Sequence, residues 1–78
     1  MPDFDKSEFL ATFKAEAEEL LSQLSQGLLS LEKNPQQPRV VAELFRAAHT
    51  LKGASRMMEF TDIQNLAHLL EDALTRMA

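Results

Sequence analysis

The sequence predicts an all-α fold, an antiparallel up-and-down helical bundle with three helices in this chain. Three observations carry that reading. Apolar residues recur at spacings of three and four along three separate stretches, and no stretch shows the alternation of a strand. Capping patterns and prolines fall between those stretches. The composition, 45% hydrophobic and 26% charged over 78 residues, is that of a globular domain.

The first helix starts near Lys6. Asp5 and Glu8 form a capping-box pattern there, and Phe4 and Phe9 occupy the positions of a hydrophobic staple. Leu10, Phe13, Ala17, Leu20, Leu24 and Leu31 then mark a core stripe, widened by Leu21 and Leu28, with Lys14, Glu18, Glu19 and Gln23 off it. The helix lasts roughly seven turns before Asn34 and Pro35 stop it, and Asn34 to Pro38 reads as a short polar turn. Pro38 suits the first turn of a second helix, whose core face is Val41, Leu44, Ala48, Leu51, Ser55 and Met58. Thr61 and Gln64 make another capping box. They open a third helix with Ile63, Leu66, Leu70, Ala73 and Met77 on one side, widened by Ala67 and Leu74. The expected bounds are about 6–33, 38–58 and 62–77. Because bundles of this kind commonly use four helices, one apolar seam is expected to stay open, with the fourth helix missing or supplied by a partner chain. Residues 1–78 read as one domain, the N-terminal fragment of a longer protein.

Composition narrows the partners. Twelve acidic residues against eight basic give a net charge of −4, which argues against nucleic acid or an anionic membrane surface. The N-terminus carries Asp3 and Asp5 where a secretory signal would be basic and then apolar, and no apolar run is long enough to span a membrane. With no cysteine there is neither a disulfide nor a thiolate ligand. The expectation is a soluble, cytoplasmic chain. A domain this small buries only roughly 60% of the surface its unfolded form exposes, so its stability is marginal without a partner.

The chemistry centres on His49. On the helical wheel it lies off the core face, in a flanking row with Phe45, Lys52 and Arg56, so its imidazole should be partly exposed. Side chains on a helix lean toward its N-terminus, and a large residue at position 53 would tilt over the ring; Gly53 leaves that space empty. A glycine inside a helix costs about 1 kcal/mol, so it needs a reason. Either the ring must stay reachable, or two helices pack closely at that point.

The run from Leu44 through Ser55, with Arg46, His49, Lys52 and Gly53, resembles the histidine phosphotransfer (HPt) helix of CheA-type histidine kinases. Leu66 to Asp72, with His68 and Glu71, is similar to the family's next helix, and the likeness extends more loosely to Leu28–Glu32. The resemblance implies that His49 accepts a phosphoryl group from a kinase ATP-binding domain and passes it to an aspartate of a response-regulator receiver domain. It implies that Glu71 accepts from Nδ1–H of His49 and leaves Nε2 as nucleophile. Lys52 would pair with phosphoryl oxygens or with Glu71, and His68 would complete the hydrogen-bonded network. No phosphate-cradling glycine loop or acidic metal pocket is evident, so ATP and Mg²⁺ are expected on partner domains and no cofactor or metal in this chain.

Other readings of the same residues are open. His68 and Glu71 share a helix face, but carboxylate-bridged dimetal bundles use Glu-x-x-His in the opposite order and need more acidic ligands. A non-catalytic helical interaction or dimerisation module would use the surface from Phe45 to Met58. Phe45, Gly53, Arg56 and Met57 are the candidate partner-binding residues; Met57 fits either a docking patch or the core, and Met58 the core. Glu59 stands where the family usually has glycine. A left-handed backbone there would cost on the order of 1 kcal/mol and leave a weakly specified turn. Such a turn would let the third helix swap into a neighbouring chain as a homodimer.

Overall fold

The computed structural model describes residues 6–77, which form three helices in the order α1 (Lys6–Lys33), α2 (Pro38–Met57) and α3 (Thr61–Met77). The expected cap at Asp5 and the Phe4 half of the staple lie outside the described residues. The described chain is 51 Å long and under 20 Å across. Its length is set by α1, whose 28 residues span about 42 Å at the helical rise.

The helix ends at the two turns have identifiable causes. The Asn34 N–H closes the last turn of α1 on the Ser30 carbonyl, and the Gln37 amide reaches back to donate to the carbonyls of Ser30 (2.9 Å) and Asn34 (2.6 Å). One glutamine thereby satisfies two C-terminal acceptors. Pro38 then opens α2, where its missing N–H costs nothing. At the far end of α2, Phe60 N–H bonds Ser55 O and Glu59 N–H bonds Arg56 O, with Glu59 at φ 61°. This is the Schellman arrangement, with Glu59 in the left-handed position that glycine usually fills. The expected loose turn is therefore corrected: three main-chain bonds, counting Met58 N–H to Ala54 O, specify it despite the glutamate. Gln64 N–H bonds Phe60 O, so Phe60 is the cap and α3 begins one residue earlier than the capping box at Thr61 implied.

The central helix α2 packs against both neighbours, while among the described residues no Cα of α1 comes within 8 Å of one of α3. The core is accordingly thickest on α2. Val41, Leu44, Ala48, Leu51, Ser55 and Met58, the expected face, are all buried, and Ala47 joins them. On α1 only Leu20, Leu24 and Leu31 are fully buried, while Leu10, Leu21 and Leu28 are exposed. The stripe of α3 is displaced from its expected centre: Ala67, Glu71 and Leu74 are buried, and Ile63, Leu66 and Met77 stay exposed. Both departures have one cause. A flanking helix touching a single neighbour buries one edge of its apolar stripe and leaves the other edge as the open seam.

Two contacts lock α2 in register. Gly27 of α1 lies against Leu44, and a Cβ added there would meet Leu44 Cδ2 at 2.5 Å. Close helix approach is therefore the task of Gly27, a residue the sequence pattern does not single out. Phe13 of α1 meets Phe60 edge-on with ring centroids 5.1 Å apart, tying the α2–α3 turn back to the first helix.

Candidate functional site

The site lies across α2 and α3. His49 sits at the α2 surface with 65% of its side chain exposed, because its wheel position is off the face that meets α1 and α3. Glu71 comes from the buried edge of α3 and has only 9% of its side chain exposed. Its carboxylate lies between two α2 residues one turn apart. His49 Nδ1 is 3.2 Å from Oε1 and 3.4 Å from Oε2. Lys52 Nζ is 2.7 Å from Oε1 and donates to Oε2 at 3.0 Å.

The electrostatics of this trio decide the protonation of the ring. Burial pushes the Glu71 carboxyl up, but the hydrogen bonds and charges of Lys52 and His49 outweigh it and hold the group below its ordinary value. Glu71 is therefore ionised at neutral pH, and an ionised carboxylate only accepts. It follows that the proton sits on Nδ1, which donates to Glu71, and that Nε2 carries the free lone pair on the exposed side of the ring. This arrangement offers a nucleophilic nitrogen to solvent, and a nearby anion to stabilise positive charge developing on the ring.

The structure thus brings together His49, Lys52 and Glu71 of the expected residues. Lys52 pairs with Glu71, one of the two roles expected of it. His68 is not brought in: it is exposed and makes no hydrogen bond or ion pair with His49, Lys52 or Glu71. Its position three residues before Glu71 turns it about 60° away on the helix, past the edge that faces α2. Gly53 has no atom within 4 Å of an added Cβ. Among the described residues no other helix packs closely on that glycine, one turn beyond His49, and the space beside it is open. Arg56 and Met57 are exposed, Met57 at 81%, so of its two readings Met57 takes the surface one.

One contact escapes the sequence reading. The Phe45 ring lies nearly parallel to the His49 ring, at an interplanar angle of 9° and a centroid separation of 6.3 Å. The i, i+4 spacing on α2 was the available signal. Among the described residues there is no cluster of three or more metal-ligating side chains, and no helix is long and apolar enough to cross a membrane.

Comparisons of the sequence with known proteins point to one family. The family model of the Hpt domain matches residues 8–78. The chain is 46% identical over 70 residues to the chemotaxis protein CheA of Bacillus subtilis (strain 168), covering 90% of this chain and 10% of that protein. It is 40% identical over 70 residues to the chemotaxis protein CheA of Salmonella typhimurium (strain LT2), again 90% of this chain and 10% of the relative. With the sensor histidine kinase CheAY of Helicobacter pylori (strain ATCC 700392 / 26695) the identity is 39% over 72 residues, 92% of this chain and 9% of that protein. The chain spans about a tenth of the length of the curated relatives it matches. No solved structure matches it significantly. The family match runs through both halves of the ion-paired site, the helix of His49 and the helix of Glu71, and the chain belongs to the Hpt domain family.

Proposed function

We propose that His49 is the phosphoryl acceptor of this Hpt domain, and that it carries the group between a histidine kinase ATP-binding domain and an aspartate of a response-regulator receiver. The observation that supports this most is the Nδ1 contact with an ionised Glu71, which leaves Nε2 free and outward-facing. The Nε2 lone pair attacks the γ-phosphorus of ATP, and the bond from phosphorus to the bridging oxygen breaks with ADP as leaving group. The ring, still protonated at Nδ1, is then cationic and lies against the Glu71 carboxylate. In the second step the receiver carboxylate attacks phosphorus and the N–P electron pair returns to Nε2. Lys52 holds Glu71 in place and adds positive charge beside the incoming phosphoryl oxygens.

ATP and Mg²⁺ belong to the kinase partner on this reading, and the chain is a carrier that is acted upon. The likeness to chemotaxis protein CheA and sensor histidine kinase CheAY supports a place for it in a chemotaxis-type histidine kinase, and a cytoplasmic setting is part of this proposal. Phe45, Gly53, Arg56 and Met57 surround His49 on α2 and form the surface on which partner domains dock. Incubation with a CheA-type ATP-binding domain, ATP and Mg²⁺ is expected to give acid-labile, base-stable label that His49→Gln abolishes. Label that persists in that variant refutes the assignment. No label with any kinase leaves the non-catalytic helical module as the function.

A further inference from the structure

Resting on the reading of His49 as phosphoryl acceptor, we infer that Phe45 is a positioning residue that fixes the plane of the His49 ring. Glu71 alone does not do this. The Nδ1 contacts with the two carboxylate oxygens, at 3.2 and 3.4 Å, restrain one edge of the ring and leave an imidazole with 65% of its side chain exposed able to swing about its χ2 axis, a torsion with a broad profile. The second constraint is the Phe45 ring, one turn earlier on α2. Side chains on a helix lean toward its N-terminus, so the His49 ring leans onto Phe45, and the two planes differ by only 9°.

Phe45 is itself partly covered. It lines a groove of about 1000 Å³ between the start of α2 and the end of α3, together with Pro38, Val41, Ala42, Leu74 and Met77. Phe45 borders this open groove and is itself 37% exposed, and the ring contact it makes is the one with the imidazole. The separation separates two ways such a ring might act. Cation–π attraction needs a charge within about 6 Å of the ring centroid, and the centroids here are 6.3 Å apart. Cation–π stabilisation of the phosphorylated ring is thus at the edge of its range, and orientation of the ring is the effect that the near-parallel planes support. With the plane fixed, Nδ1 points at α3 and Nε2 at solvent.

The test uses a donor that needs no protein partner. Phosphoramidate transfers its phosphoryl group directly: Nε2 of His49 forms the N–P bond while the donor's own P–N bond breaks and ammonia leaves. Phe45→Leu keeps an apolar side chain in the groove but removes the flat face, and Phe45→Tyr retains it. Phosphoramidate labelling of Phe45→Leu is expected to slow about fivefold, equivalent to about 1 kcal/mol, with Phe45→Tyr close to the unaltered chain. ¹⁵N spectra of the His49 ring should show a reduced Nδ1–H tautomer fraction in Phe45→Leu and not in Phe45→Tyr. Far-UV circular dichroism verifies that both variants fold. Equal labelling rates and unchanged ring-nitrogen shifts in Phe45→Leu overturn the inference. A defect that appears only with a kinase or receiver, and not with phosphoramidate, also overturns it and leaves Phe45 with its docking role alone. Failure of the acceptor assignment looks different: the unaltered chain takes no label, or the label survives His49→Gln. In that case the ring-nitrogen spectra still decide whether Phe45 orients His49.

Discussion

Replacing Glu71 by Gln removes the anion and keeps the shape, so it tests whether the carboxylate sets the tautomer of His49. A hydrogen bond to a charged group contributes about 1.5–3 kcal/mol. The Nδ1 contact of 3.2 Å is longer than the ideal of about 2.7–2.9 Å, which places its contribution near the lower bound and gives about a tenfold loss of the nucleophilic form. The amide adds a second effect. Lys52 takes the amide oxygen in place of Oε1, 2.7 Å from Nζ and 3.2 Å from Nδ1, and the NH₂ in place of Oε2 then lies 3.4 Å from Nδ1 as a competing donor. A donor facing Nδ1 favours the tautomer protonated on Nε2, which has no lone pair to offer. The phosphorylation rate with a kinase ATP-binding domain is therefore expected to fall about 10- to 100-fold. The assay is the initial rate of label transfer from γ-labelled ATP, with ¹⁵N spectra of His49 recorded in parallel. A Gln variant phosphorylated at the original rate, with Nδ1 still protonated, would refute the reasoning.

The remaining expectations concern stability. Glu71 is held below its ordinary value of 4.5 in the folded chain, so it contributes stability above about pH 4.5 that is lost as pH falls through the lowered folded value. Urea unfolding across that window should show the unaltered chain losing its advantage over Glu71→Gln on acidification; a constant difference would contradict the pairing. The two glycines should respond oppositely to alanine. Gly53→Ala gains about 1 kcal/mol from helix propensity because nothing lies near the new methyl, whereas Gly27→Ala overpacks Leu44 and loses about 1 kcal/mol net; equal thermal shifts would refute the contrast. Glu59→Gly relieves the left-handed glutamate and should stabilise by about 1 kcal/mol, and a lower melting temperature would show that the glutamate side chain contributes something the main-chain bonds do not.

Legibility in the sequence follows the number of neighbours each helix has. The α2 face was readable residue by residue because α2 is packed on two sides, so its whole apolar stripe is buried. On α3 the same periodicity points to Leu66 as core, yet Leu66 is 68% exposed and Ala67 is buried. A stripe specifies a face, and the edge of it that meets a neighbour is decided by tertiary packing alone. Glu71 shows the limit most sharply. By pattern it is an acidic residue on an amphipathic helix, and its place opposite His49 was expected only from the likeness to a family. Long-range pairs such as Gly27 with Leu44 and Phe13 with Phe60 leave no local trace. The left-handed residue at the α2–α3 turn was foreseeable as a position, but the bonds that hold a glutamate there were not.

The central claim is that Nε2 of His49 is the reactive atom because Glu71 holds the proton on Nδ1. The most direct measurement is ¹H–¹⁵N correlation of the phosphorylated chain, which distinguishes the two ring nitrogens by their couplings and shifts. The account predicts phosphorus bonded to Nε2, with Nδ1 still protonated beside Glu71. Phosphorus on Nδ1, or on any other residue, would contradict it.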